Sequence, residues 1–106
     1  PCLVGDAFVR QFDGRFHMWY IFGTGWQRFA ADAPPDRTYK IGHALSEDGI
    51  TWQRPRMGKP LLPDRLGPQE SQALPTVIAY DGLYHLWFCF GSSLYDYVLR
   101  KRWLDC

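Results

Sequence analysis

The stretch Phe12-Asp13-Gly14-Arg15-Phe16-His17-Met18-Trp19-Tyr20 returns as Tyr80-Asp81-Gly82-Leu83-Tyr84-His85-Leu86-Trp87-Phe88. The offset is constant, since 81 minus 13 and 88 minus 20 both give 68. The shared pattern is aromatic, Asp, Gly, any residue, aromatic, His, aliphatic, Trp, aromatic, which chance rarely writes twice in 106 residues. Asp-Gly between two apolar runs is the strongest short signal for a β-hairpin, because Gly accepts the positive φ that a tight primed turn requires. One hairpin unit is therefore used twice. A period of tens of residues points to a repeat architecture such as a propeller, solenoid or array.

Length bounds the chain to one domain, residues 1–106,. Aromatic residues make up 17% of it, a bias that suits strands and broad contact surfaces,. A net charge of +1 gives no global field toward nucleic acid or membrane, and Arg100-Lys101-Arg102 reads as a solvated strand end or tail,. No apolar stretch approaches the ~20 residues needed to span a bilayer. The expected partners exclude nucleic acid and membrane. Three cysteines without short spacing, Cys2, Cys89 and Cys106, argue against a disulfide framework and a zinc site,. Cys89 reads as a small buried hydrophobe. Reduced thiols and a cytoplasmic location are the default expectation, with no signal peptide visible.

Along the chain, Ala7 to Phe12 and Arg15 to Phe22 read as the two strands of the first hairpin. In the second strand Phe16, Met18, Tyr20 and Phe22 share one face while His17, Trp19 and Ile21 share the other. Two apolar faces mean a sheet covered on both sides. Tyr39 to Ser46 reads as a third strand, and Ile50 to Arg54 as a fourth after the Glu47-Asp48-Gly49 turn. Residues 4–54 then form a first four-stranded, blade-like unit. Pro55 to Gln69, with four prolines, is a linker. Residues 70–106 form a second, incomplete unit: Leu74 to Tyr80 and Leu83 to Gly91 repeat the hairpin, and Tyr95 to Trp103 is a candidate third strand. The expected fold is all-β, a partial β-propeller of antiparallel blade-like sheets with about seven strands and no helix.

Asp6-Ala7-Phe8-Val9, the Asp13-Gly14 hairpin and the string Ile41-Gly42-His43-Ala44-Leu45-Ser46-Glu47-Asp48-Gly49-Ile50-Thr51-Trp52 resemble the five-bladed β-propeller glycosidases. These are glycoside hydrolase families 43, 32 and 68 and the related family 130 phosphorylases. With Pro75-Thr76-Val77 and the second hairpin, the resemblance spans about residues 4 to 91. It implies action on glycosidic bonds by acids at a central funnel, with Asp6 at the position of the family's base or nucleophile. The chain departs from the family where Asp-Pro-x-Val becomes Asp6-Ala7-Phe8-Val9. The family's other acids sit on later blades. Four units would take about 270 residues at this period, and the chain holds about one and a half periods.

Glycoside hydrolysis needs two carboxyl groups flanking the bond. Asp6 and Glu70, each ahead of the first strand of a unit, are the candidate catalytic residues. Asp6 plus 68 falls on Leu74, so the two acids are not equivalent positions. The competing readings are a strand-start Asp satisfying backbone donors and, for Glu70, a solvated loop. Trp26 and Phe29 in the long loop 23–37 are placed to stack on a sugar ring or to pack locally, and Trp26 and His43 are the candidate substrate-binding residues. Trp19 and Trp87 recur as packing residues between units, and His17 and His85 as structural histidines. No metal or cofactor site is expected. The functional expectation is a glycosidase-related partial propeller that is carbohydrate-binding or catalytically incomplete alone. The alternative is a self-associating structural module, or a truncated product without activity. Uncovered sheet faces invite association, so a homo-oligomer is the expected assembly.

Overall fold

The computed structural model describes residues 3–23, 31, 38–67, 70–92 and 104–105. Six strands lie within them: β1 (Leu3–Phe12), β2 (Arg15–Gly23), β3 (Tyr39–Ser46), β4 (Glu70–Tyr80), β5 (Leu83–Ser92) and β6 (Leu104–Asp105). They form two antiparallel sheets, ordered β1-β2-β3 and β4-β5-β6. The described residues contain no helix. The all-β expectation holds. The described residues hold six strands where about seven were expected for the chain, and β6 is a two-residue strand paired with Phe90 and Gly91.

The repeat extends to the backbone. Both Asp-Gly turns place both residues at positive φ, 54° and 77° at Asp13-Gly14 and 54° and 75° at Asp81-Gly82. Such primed turns match the right-handed twist of the flanking strands. Moving away from the turn, Phe8 pairs with Trp19 and Thr76 with Trp87, then each ladder shifts register. It resumes at Gly5 with Ile21 and at Ala73 with Cys89. Every pair is offset by 68. Each hairpin carries a β-bulge, an extra residue that sharpens twist and resets which side chains face which way. The bulges centre on Asp6 and Leu74, both in left-handed backbone, with φ of 52° and 54°. Asp tolerates that region, whereas a bulky Leu rarely adopts it.

Two apolar clusters follow from strand alternation. One holds buried Trp19, Ile41 and Val77 with Phe8, Phe12, Ile21, Leu61, Leu62, Leu86 and Phe88 around them. It joins the sheets, since Val77, Leu86 and Phe88 come from β4 and β5. The other, Tyr20, Phe22 and Ala44 with Met18 and Trp52, covers the opposite face of the first sheet. The division of β2 into two apolar faces is as its sequence alternation predicts. Close to the second cluster, Gly42 lies flat under the Tyr20 ring. A Cβ there would sit 2.5 Å from the ring's Cζ.

The expected fourth strand, Ile50 to Arg54, is reduced to one bridge, in which Leu45 and Gln53 exchange backbone hydrogen bonds at 2.8 Å. The reason is local. Ser46 Oγ accepts from Gly49 N at 2.8 Å, and Asp48 Oδ1 accepts from Ile50 N and Thr51 N, each at 2.8 Å. These side chains take the amides that a ladder would use. The Asp48 carboxyl is held below its ordinary range by those bonds, Thr51 first. The proline-bearing segment after Arg54 is packed rather than a bare linker: Leu61 N donates to Ile41 O at 2.8 Å, and Leu61 and Leu62 cover the core. Cys89 is buried, as expected, but it is disulfide-bonded, which overturns the expectation of reduced thiols. Its partner, Cys2 and Cys106, the loop residues Trp26 and Phe29, and the stretch Tyr95 to Trp103 lie outside the described residues.

Candidate functional site

Asp6 stands on the β1 bulge, exposed. Its Oδ2 accepts a hydrogen bond from Leu74 N at 2.8 Å. The two bulges, 68 residues apart in sequence, thus touch. A bulge leaves one amide out of the ladder, and Asp6 satisfies that amide in the neighbouring unit. Expected ahead of the first strand, Asp6 instead lies inside β1 at its bulge. It does accept from a backbone donor, which comes from the other sheet. The carboxylate remains at the surface, and Oδ1 has no partner among the described residues. In strands β1 to β5 it is the one exposed acid.

Glu70 is different. It opens β4 and is 0% exposed. Oε1 accepts from Arg65 N at 2.7 Å and Leu66 N at 2.9 Å, and Oε2 accepts from Gln72 Nε2 at 2.8 Å. Lys40 Nζ donates to the Glu70 carbonyl at 2.6 Å and also pairs with Asp64. Burial opposes the charge of Glu70, but the bond from Gln72 and those from Arg65 and Leu66 outweigh it and hold its pKa below the ordinary value. The solvated-loop reading of Glu70 is therefore corrected. Sequence gave no warning, because a Glu in Pro-Gln-Glu-Ser looks solvated until its donors are known. A carboxylate held ionised by three donors is poorly suited to deliver a proton. Its evident role is to fold residues 63–67 onto the sheet edge.

His43, on β3, lines a cavity of about 310 Å³ between the sheets with Trp19, Leu61, Leu62, Val77, Tyr84 and Leu86. His17 Nδ1 and His43 Nε2 are 3.1 Å apart. The Trp19 ring stacks on both imidazoles, at centroid distances of 5.5 and 5.1 Å. Burial first, then the like charge of His17 and the guanidinium groups of Arg15 and Arg56, lowers the His43 pKa to about 4. Burial and Arg15 also lower that of His17, against a smaller opposing effect of Asp13. Both rings are thus neutral near pH 7. His17 Nε2 is buried with no partner among the described residues. The tautomer in which His17 Nδ1–H donates to His43 leaves a bare acceptor at Nε2, which costs less than a buried, unpaired N–H. From the second unit, Tyr84 donates its hydroxyl to Asp13 Oδ2 at 3.1 Å and lays its ring beside Phe12 and His17. Alternation along β2 placed His17 and Trp19 on one face in the sequence. Their meeting with His43 required the β2–β3 register.

Asp6 and Glu70 are not among the residues that line the His43 cavity. The candidates therefore fall into three separate places: an exposed acid at the joined bulges, a saturated buried acid at the β4 start, and a neutral histidine pair between the sheets. Trp26 lies outside the described residues. Among the described residues, no three of His, Cys, Asp or Glu converge as a metal site.

No family model matches the chain, and no solved structure matches it. Two uncharacterized proteins of Mycobacterium tuberculosis are similar to it: MT1551 of strain CDC 1551 / Oshkosh and Rv1502 of strain H37Rv. Each is 30% identical over 96 residues, covering 90% of this chain. The chain spans about 30% of the length of these relatives.

Proposed function

We propose that the chain is two successive blade-like units of a glycosidase-type β-propeller, and that it binds saccharide through the exposed end centred on Asp6. The observation that carries this reading is the contact of the two bulges through Asp6 and Leu74. In a propeller the first strand of each blade runs beside the axis, and here β1 and β4, the first strands of the two units, pack together. Asp6 then faces the axial funnel, where the resemblance puts its acid. The length of the relatives agrees. With 96 residues making 30% of each, they hold about 320 residues, between four and five periods of 68, in the range of four to eight blades that closes a propeller. Hydrolysis requires a second carboxyl group at a defined separation. Glu70 is occupied, so the described residues bind without cleaving. Titration of the chain with a broad glycan panel, followed by amide chemical shifts, tests the reading. Shifts centred on Asp6 and Leu74 that vanish in Asp6→Ala are expected. A flat titration across the panel removes the saccharide reading.

A further inference from the structure

On the first unit, the ladder Phe12, His17 and Trp19 is covered by the second unit. Trp19 is 4% exposed and lies under Val77, Leu86 and Phe88, with Tyr84 edge-on at 6.3 Å. Adding 68 to the ladder gives Tyr80, His85 and Trp87. That second ladder has the same internal geometry, with Trp87 stacked on His85 at 6.1 Å and His85 tilted on Tyr80 at 5.9 Å. Yet among the described residues it has no cover. Trp87 is 57% exposed, Tyr80 68% and Ile78 48%, all on one face of β4–β5. Three large side chains in one exposed patch are the mark of an interface.

The cover that fits is defined by the interface already present. Subtracting 68 from the covering residues Val77, Tyr84 and Leu86 gives Val9, Phe16 and Met18. These lie on the opposite face of β1–β2, beside the Tyr20 cluster, with Val9 39% exposed, Phe16 half-buried and Met18 half-buried at the cluster's edge. We propose that the Tyr80–His85–Trp87 face docks the Val9–Phe16–Met18 face of a second copy of this chain, repeating between copies the contact made within each. The inference rests on the shared register of the two hairpins and does not depend on the saccharide reading. Such a contact is head-to-tail, so it uses a different surface on each copy and closes into a ring or runs on.

The test uses light scattering on the purified chain and two variants, Val9→Glu and Trp87→Glu. Both side chains reach the surface, and near-ultraviolet circular dichroism checks that each variant keeps its fold. At micromolar concentration the wild type is expected at two or three times 12.4 kDa. Each variant alone is expected as a monomer, its association weakened at least about thirtyfold, as for a buried aromatic anchor. An equimolar mixture of the two restores one competent pair of faces and is expected to give a dimer. A monomeric wild type overturns the proposal, as does a Val9→Glu variant that still dimerises through Trp87. A glycan titration unchanged in Trp87→Glu keeps the two readings separate.

Discussion

Replacing Glu70 by Gln tests whether this residue is a folding anchor. The amide is nearly isosteric, so no cavity forms. Of its two orientations, the one with oxygen toward Arg65 and Leu66 is preferred, because the other sets an NH₂ against two backbone N–H groups. The retained bonds become neutral ones. Hydrogen bonds to charged groups contribute about 1.5–3 kcal/mol and neutral ones about 0.5–1.5, a loss of about 1 kcal/mol for each of the two. The new NH₂ faces Gln72 Nε2, formerly a donor at 2.8 Å, so a third bond of roughly 1.5 kcal/mol disappears,. The total is about 3.5 kcal/mol, less than the stability of most domains. With a urea slope near 1.5 kcal/mol per molar, the midpoint followed by Trp fluorescence falls by about 2 M. The effect also has a pH signature. The folded pKa of Glu70 lies below its ordinary 4.5. Its contribution is therefore complete above 4.5 and is lost as pH falls through the folded value. The gap between wild type and Glu70→Gln narrows on acidification. A midpoint change under about 0.3 M at neutral pH, or a gap indifferent to acid, refutes the anchoring role.

Two further outcomes follow from the geometry. Gly42→Ala forces a methyl group to 2.5 Å from the buried Tyr20 ring and is expected to cost about 2–3 kcal/mol by urea unfolding,. Adding Tyr20→Leu should recover part of that loss, and strict additivity would contradict the contact. Because the His43 pKa falls from 6.5 to about 4 on folding, the unfolded chain binds the extra proton between those values. Stability therefore rises with pH over that window, by about 1–2 kcal/mol from pH 5 to 7, and His43→Gln should flatten the profile.

The hairpins were legible because each rests on local chemistry: an Asp-Gly turn, alternating aromatics, and a Trp that recurs. The two faces of β2 followed from period-two alternation, and β3 was found at Tyr39 to Ser46. The fourth strand, Ile50 to Arg54, shrinks to the bridge at Gln53 because Ser46 and Asp48 compete for the amides of residues 49–51, a contest that strand propensity does not register. The Glu70 anchor was invisible for another reason. Its donors, Arg65, Leu66 and Gln72, are set by how a proline-bearing loop returns to the sheet edge. The Asp6 contact lay between these cases. Asp6 was read as standing ahead of the first strand and lies inside β1 instead, and its bond to Leu74 depends on the docking of one unit against the other. The His17–His43 pair needed the alignment of two strands separated by a long loop.

The matched bulges also bear on how one hairpin can stand in for the other. In a strand, losing or gaining one residue turns every side chain beyond it to the other face. Here the extra residue stands the same distance from the turn in both hairpins, so segments 3–23 and 71–91 are in phase. Either replaces the other with each side chain kept on its own side. An exchange in steps of 68 residues therefore swaps one hairpin for the other without moving a side chain to the wrong face. A displacement by a single residue within a hairpin would expose its inner half. The bulge thus acts as a reading frame for the fold, fixing which side of each hairpin every residue faces.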